Sequence, residues 1–347
     1  AKTMTDPGAR HAGRAIKRLV VKGAFHGRTD KPALYSDSSR KNYVQHLASY
    51  RGENTVITVA PYDIDALRKV FADADANGWF IEAMFMEPVM GEGDPGRSVP
   101  PAFYAAAREL TRSHGSLFLV DSIQAGLRAH GVLSIVDYPG FEGLDAPDME
   151  TYSKALNAAQ YPLSVLAVNE RAAGLYRKGV YGNTMTTNPR ALDVACATLA
   201  MFTPQVRENI RVRGAQALHK LEQLKASLGG LITKVQGTGL LFSCELAGGY
   251  KGYGHRFDRG MDARTGRRRD PRRRELAALH PAVRGHQGGT GTGGRRGQAR
   301  AAGRPAGGAG RRGLRHPRPL QHRALDHRCL FYTSPSPRDL FTSRTPP

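Results

Sequence analysis

The chain is expected to be an α/β protein with a mostly parallel central sheet and flanking helices. Three observations say so: apolar runs too short for helices, amphipathic stretches of helical length between them, and polar residues where the apolar runs end. In chain order, Arg18–Gly23 (RLVVKG) is a short apolar strand leading into AFHGRT. Asp63–Ala76 has helical spacing, and FIEAMFMEP reads as a buried strand that ends on carboxylate Glu87. Pro100–His114 is a helix opened by proline, and SLFLVD is a second buried strand, ending in Asp121. METYSK and PLSVLAV follow as strands, Pro189–Phe202 as a helix, and Pro204–Gly229 as a long amphipathic helix. LITKVQGTGLLFSCEL reads as a strand pair. The organisation expected is a large domain over residues 1–203, the start of a small C-terminal α+β domain over 204–254, and a disordered Arg/Gly-rich tail over 255–347.

Charge divides the chain at the same place. Of its 347 residues, those up to Gly254 carry 29 Lys and Arg against 24 Asp and Glu, whereas residues 255–347 carry 22 against 6. Every basic residue of that tail is Arg. Phosphate contacts draw on both Lys and Arg, so the pattern points to nucleotide composition and away from a specific nucleic-acid partner. Nucleic-acid binding through the tail stays as the alternative of a different class, weakened by the near absence of interleaved aromatics. Cys196, Cys244 and Cys329 lack metal spacing and read as reduced thiols, which suggests the cytoplasm or an organellar matrix. No apolar run reaches the roughly 20 residues of a membrane span, so no membrane partner is expected. The chain opens at Ala1 without a Met, inside a helical pattern, and an earlier segment is expected to be missing.

In open α/β sheets ligands sit beyond the carboxyl ends of the strands, where His26, Glu87, Asp121 and Lys154 fall. Taken singly, each has an ordinary structural explanation. Taken in order, AFHGRT, EPVMGEGDPG, FLVDSIQAG, TYSKALNAAQYPLS and GNTMTTNP resemble the class III aminotransferases, enzymes of fold type I that depend on pyridoxal 5'-phosphate. The resemblance covers about residues 14–246. It implies transfer of an amino group from an amino acid or omega-amine donor to a 2-oxo acid by a ping-pong route. Racemase, aminomutase or decarboxylase chemistry on the same lysine remains open.

An imine-forming site needs a lysine that can lose its proton in a dry pocket, and Lys154 matches the family's Schiff-base lysine. A protonated pyridine nitrogen needs a buried carboxylate beside it, and Asp121 matches that residue. Gln124 corresponds to the partner of the cofactor's phenolic oxygen, and Phe25 to the residue stacked on the ring, with His26 beside it. Glu87 corresponds to the glutamate that pairs with a substrate-binding arginine. Thr184 matches the threonine that reaches the phosphate from a partner subunit, so the resemblance implies a homodimer with shared sites. No metal is implied.

Three departures stand out. Ser122 replaces the acidic residue usual after the cofactor aspartate, GLRAHG replaces the common GFGRTG, and Thr186 and Thr187 stand where relatives have glycines. The phosphate-cradling loop of relatives should precede Ala1. The carboxylate-binding arginine expected after CEL is also absent as written, so the chain as written could be an inactive member of the fold. One nucleotide over, Met261 followed by Asp262 is forced to read as tryptophan, and Arg268 through Pro281 permit GVIHGGENSLRFTP. The missing arginine is then spelled across Ala278 and Leu279. The expectation is that translation leaves the true frame near Gly254 and that CLFYTSPSPRDLFTSRTPP is an adaptor-like end.

Overall fold

The computed structural model describes residues 6–179, 186–248, 277–279 and 330–332, the last two segments as backbone only. These all lie in one of the chain's two compact units. The strands are β1 (Ala15–Val21), β2 (Val56–Val59), β3 (Trp79–Met86), β4 (Leu117–Asp121), β5 (Met149–Tyr152) and β6 (Val165–Val168), with Leu330–Tyr332 as a further strand. Sheet order is β2-β1-β3-β4-β5-β6, and Leu330–Tyr332 lies beyond β6. From β2 to β5 every pairing is parallel. β6 runs antiparallel to β5, and Leu330–Tyr332 antiparallel to β6. The fold is therefore the mostly parallel α/β type that the pattern predicts.

Local chemistry sets the crossover helices. In α1 (Ile64–Ala76) the side chain of Asp63 accepts the Ala66 N–H at 2.8 Å, and Leu67, Phe71 and Ala74 face inward. Helix α2 (Pro101–His114) starts on proline and stops at Gly115, whose φ of 84° is the left-handed conformation of a helix end. Both helices and the sheet close over one apolar core that includes Leu19, Ile81, Met84, Phe103, Tyr104, Phe118 and Val120. Such a core sets strand register and hence where each strand stops.

The structure adds elements that the pattern does not announce. Asp30–Tyr35 and Asp37–His46 are helices, and β2 is a strand of only four residues. The second of those helices buries Ser39 alone, so no apolar stripe marks it. METYSK is a strand only to Tyr152; Lys154 then opens a 3-10 turn with φ 42°.

Beyond the main sheet, Pro189–Ala200 and Pro204–Ser227 are helices. The longer one buries only Ile210 and Gly214, so its amphipathic face is narrow. Strands β7 (Ile232–Thr238) and β8 (Leu241–Leu246) form an antiparallel hairpin, and Ala277–Leu279 pairs with β8. Asp94 ties the hairpin down, receiving Lys234 Nζ at 2.6 Å and Gln236 Nε2 at 2.5 Å. At the hairpin turn the Leu240 N–H donates to the Arg128 carbonyl at 2.9 Å. A Cβ on Gly239 would lie 1.6 Å from the Ala129 carbonyl oxygen, so only glycine fits there. Apart from the two three-residue strands, the tail expected to be disordered lies outside the described residues. Among the described residues no helix is long and apolar enough to cross a membrane.

Candidate active site

Four parallel strands deliver polar side chains to one edge of the sheet. The loop after β1 carries Phe25 and His26, β3 leads to Glu87, β4 ends on Asp121, and β5 leads to Lys154. Asp121 is the hub. His26 Nδ1 lies 3.0 Å from its Oδ2, while Oδ1 accepts Thr151 Oγ1 at 3.1 Å and the Ile123 N–H at 3.2 Å. Both side chains of this contact are sheltered, with exposures of 3% for His26 and 7% for Asp121. His26 is held in place by its own N–H, which donates to Ser36 Oγ at 2.8 Å.

Glu87 is buried and binds backbone on both sides: Oε2 accepts the Phe25 N–H at 2.9 Å, and Oε1 the Gly91 N–H at 3.0 Å. Burial, and then the charge of Asp121, push its pKa well above the usual carboxylate range. Gln124 packs against Gly91 so closely that a Cβ there would sit 2.6 Å from Gln124 Cγ. Its Oε1 accepts Arg128 Nη2 at 2.9 Å, which leaves the amide nitrogen as the donor end. Phe25 carries the Arg28 guanidinium over its ring at 5.1 Å.

Lys154 reaches solvent in the single chain, yet the protein packed around its amine lowers its pKa. Arg128 acts in the same direction, while Asp121, Glu87 and Glu92 oppose it. A lowered ammonium pKa means a larger neutral fraction, the form needed to attack a carbonyl carbon or accept a proton. The structure thus brings Phe25, His26, Glu87, Asp121, Gln124 and Lys154 to one edge, joined by hydrogen bonds or by charge. Thr184 lies outside the described residues.

Sequence reasoning missed Thr151, Arg128 and Glu150. Thr151 could have been found from register, since it stands directly opposite Asp121 in the β4/β5 pairing. Arg128 reads as a mere departure within GLRAHG, yet it stands four residues after Gln124 and bonds it.

The Aminotransferase class-III family model matches residues 5–258. The chain belongs to the class III aminotransferase family. An ornithine aminotransferase from Bacillus cereus strain Q1 is 33% identical over 231 residues, covering 66% of this chain and 53% of that protein. An acetylornithine aminotransferase from Xanthomonas campestris pv. campestris is 29% identical over 241 residues, covering 69% and 55%. Among solved structures, the ornithine aminotransferase from Toxoplasma gondii ME49 superposes with a TM-score of 0.55 at 26% identity, covering 67% of this chain and 52% of that one. The chain spans about half the length of the curated relatives it matches.

Class III aminotransferases in general depend on pyridoxal phosphate. Two features of the site suit that group. Asp121 is a sheltered carboxylate fixed from three directions, able to hold a proton on a ring nitrogen. Lys154 is a lysine with a lowered pKa acted on by the same carboxylate.

Proposed function

We propose that this class III aminotransferase chain moves an amino group from an amino acid or omega-amine donor to a 2-oxo acid, with Lys154 as the residue that binds pyridoxal phosphate covalently. The observation that carries the reading is the pairing of a lysine of lowered pKa with a buried, triply held carboxylate at adjacent strand ends. Bound pyridoxal phosphate would supply an aldehyde for the amine and an electron-accepting ring. Asp121 would hold the proton on the ring nitrogen, and His26 and Thr151 keep that carboxylate aimed. Neutral Lys154 Nζ would take the proton from the substrate's alpha carbon. Phe25 would cover the ring face, and Gln124 would donate to the phenolic oxygen through its amide nitrogen. Glu87 sets the Phe25 backbone; we infer that it also corresponds to the glutamate that pairs with a substrate-binding arginine. Donors resembling ornithine or acetylornithine are the first to test, given the names of the relatives. A homodimer, with Thr184 completing the partner's site, belongs to the same proposal.

The test is spectroscopic and chemical. Added pyridoxal phosphate is expected to give a visible absorbance band, and borohydride to fix the cofactor on the peptide containing Lys154. Lys154→Ala is expected to lose both. A wild-type chain that shows neither with cofactor supplied removes the assignment. The family match stops at residue 258, which supports the inference that the reading frame changes near Gly254. Sequencing the transcript across Gly254 decides that point, an uninterrupted frame being the contrary result.

A further inference from the structure

Glu150 is a buried carboxylate for which amine transfer has no direct use. It lies in β5 one residue before Thr151, and alternation across the strand turns the two to opposite faces. Thr151 holds Asp121, while Glu150 holds the residue that follows it. Glu150 Oε1 accepts Ser122 Oγ at 2.5 Å and the Ile135 N–H at 3.1 Å, and Oε2 accepts Ser134 Oγ at 2.7 Å. Ser122 is itself 1% exposed. Its N–H donates to the Thr151 carbonyl at 3.0 Å, and its carbonyl accepts the Gly126 N–H at 2.7 Å. The turn that presents Asp121 and Gln124 is therefore gripped on one side by Thr151 and on the other by Glu150.

We propose that Glu150 is a positioning residue for the Asp121–Gln124 turn: by receiving Ser122 and Ser134 together, its carboxylate sets where Asp121 and Gln124 stand relative to Lys154. It does so from the strand beside Ser122, the position at which this chain lacks the acidic residue usual in the family. The importance of Asp121 and Gln124 rests on the aminotransferase reading; the grip on the turn does not.

The surroundings make the grip sensitive to pH. Burial pushes Glu150 up to about 7, against hydrogen bonds from Ser122, Ser134, Tyr152 and the Ile135 N–H. The other groups that feel its charge are the Tyr104 and Tyr138 hydroxyls, and Arg128 acts on Tyr138 in the opposite sense. The ionised carboxylate accepts from every donor around it. Once protonated, it must turn one oxygen into a donor and force a serine hydroxyl to rotate. The turn therefore loosens as pH falls through about 7. The contribution of Glu150 to global stability has the opposite dependence: an acid raised from 4.5 to about 7 in the folded state costs stability as pH rises across that interval. Glu150→Gln resembles the protonated form, since its oxygen still accepts and its amide can donate to Ser134.

Hydrogen exchange on the cofactor-free full chain is the test. Corrected for intrinsic rates, protection of the Ser122 and Gly126 amides in wild type should rise about three- to tenfold from acid to alkaline of neutrality, the worth of one hydrogen bond. Glu150→Gln should stay at the acid level throughout, and Ser122→Ala should reproduce that level with a core helix such as α2 unaffected. Equal profiles for wild type and both variants, or losses spread evenly through the domain, overturn the proposal. If Glu150→Gln does not fold, Ser122→Ala and the wild-type pH profile decide. A parallel pyridoxal phosphate titration should show affinity weakening toward acid more steeply in wild type than in the variant, in which only Lys154 still titrates against the cofactor. A wild type that binds none removes the functional reading, while exchange still decides the grip.

Discussion

Asp148→Ala is expected to unfold the chain under conditions in which the wild type is folded. The Asp148 side chain is wholly buried and answers four donors: Arg108 Nη1 at 3.0 Å, Arg171 Nη1 at 3.2 Å, Asn169 Nδ2 at 2.9 Å and the Phe118 N–H at 2.9 Å. Removing it leaves the Arg108 guanidinium, only 12% exposed, without its counter-charge, together with a buried backbone N–H without an acceptor. Breaking a buried pair in this way costs about 3–5 kcal/mol, against a total stability of about 5–15 kcal/mol for a typical domain. Burial alone would raise the Asp148 pKa, but the Asn169 and Phe118 hydrogen bonds and the two arginines outweigh it and leave it below the ordinary value. A depressed carboxylate contributes fully above its unfolded pKa and loses that contribution as pH falls through the folded one. Urea titrations at about pH 7 and about pH 3 should show the gap between wild type and variant narrowing in acid. A variant within experimental scatter of wild type at neutral pH would show that Asp148 does not anchor these elements.

Asp121→Asn is expected to separate stability from turnover. The amide keeps the shape: its oxygen can still accept from Thr151 and the Ile123 N–H, and its NH2 can donate to His26 Nδ1 in the other tautomer, so the turn should persist. It cannot hold a proton on a ring nitrogen, and the rate with any accepted donor should fall about 10²–10⁴-fold. Thermal stability at neutral pH should be no lower than that of wild type, because Asp121 is one of the causes that raise Glu87. A raised acid takes stability away as pH climbs through its interval, and removing part of the cause returns some of it. Steady-state kinetics with melting curves on the same preparation give both readings. Turnover within a few-fold of wild type would remove Asp121 from the chemistry.

Much of this site was legible because chemistry at the end of an apolar run interrupts a pattern. Asp121 closes SLFLV, Glu87 closes FIEAMFM, and Lys154 follows METYS. The helices at Asp30–Tyr35 and Asp37–His46 were not legible, because few of their residues are buried and no periodic face marks them. The antiparallel direction of β6 was hidden for a different reason, since an apolar run does not record which way its neighbour points. Glu150 was silent because a polar residue inside a strand ordinarily faces water, and only the tertiary structure supplies the two serines that accept its burial. Arg128 likewise became meaningful only beside Gln124.

The hairpin turn has a mechanical implication. Gly239 lies flush against the Ala129 carbonyl, Leu240 is tied to the Arg128 carbonyl, and Arg128 holds Gln124. There is no slack at the first of these joints, because a single added carbon would overlap the oxygen it meets. A tug on the β7/β8 ribbon is therefore transmitted along a short stiff linkage to the Gln124 amide. The ribbon is a lever on the turn that carries Gln124.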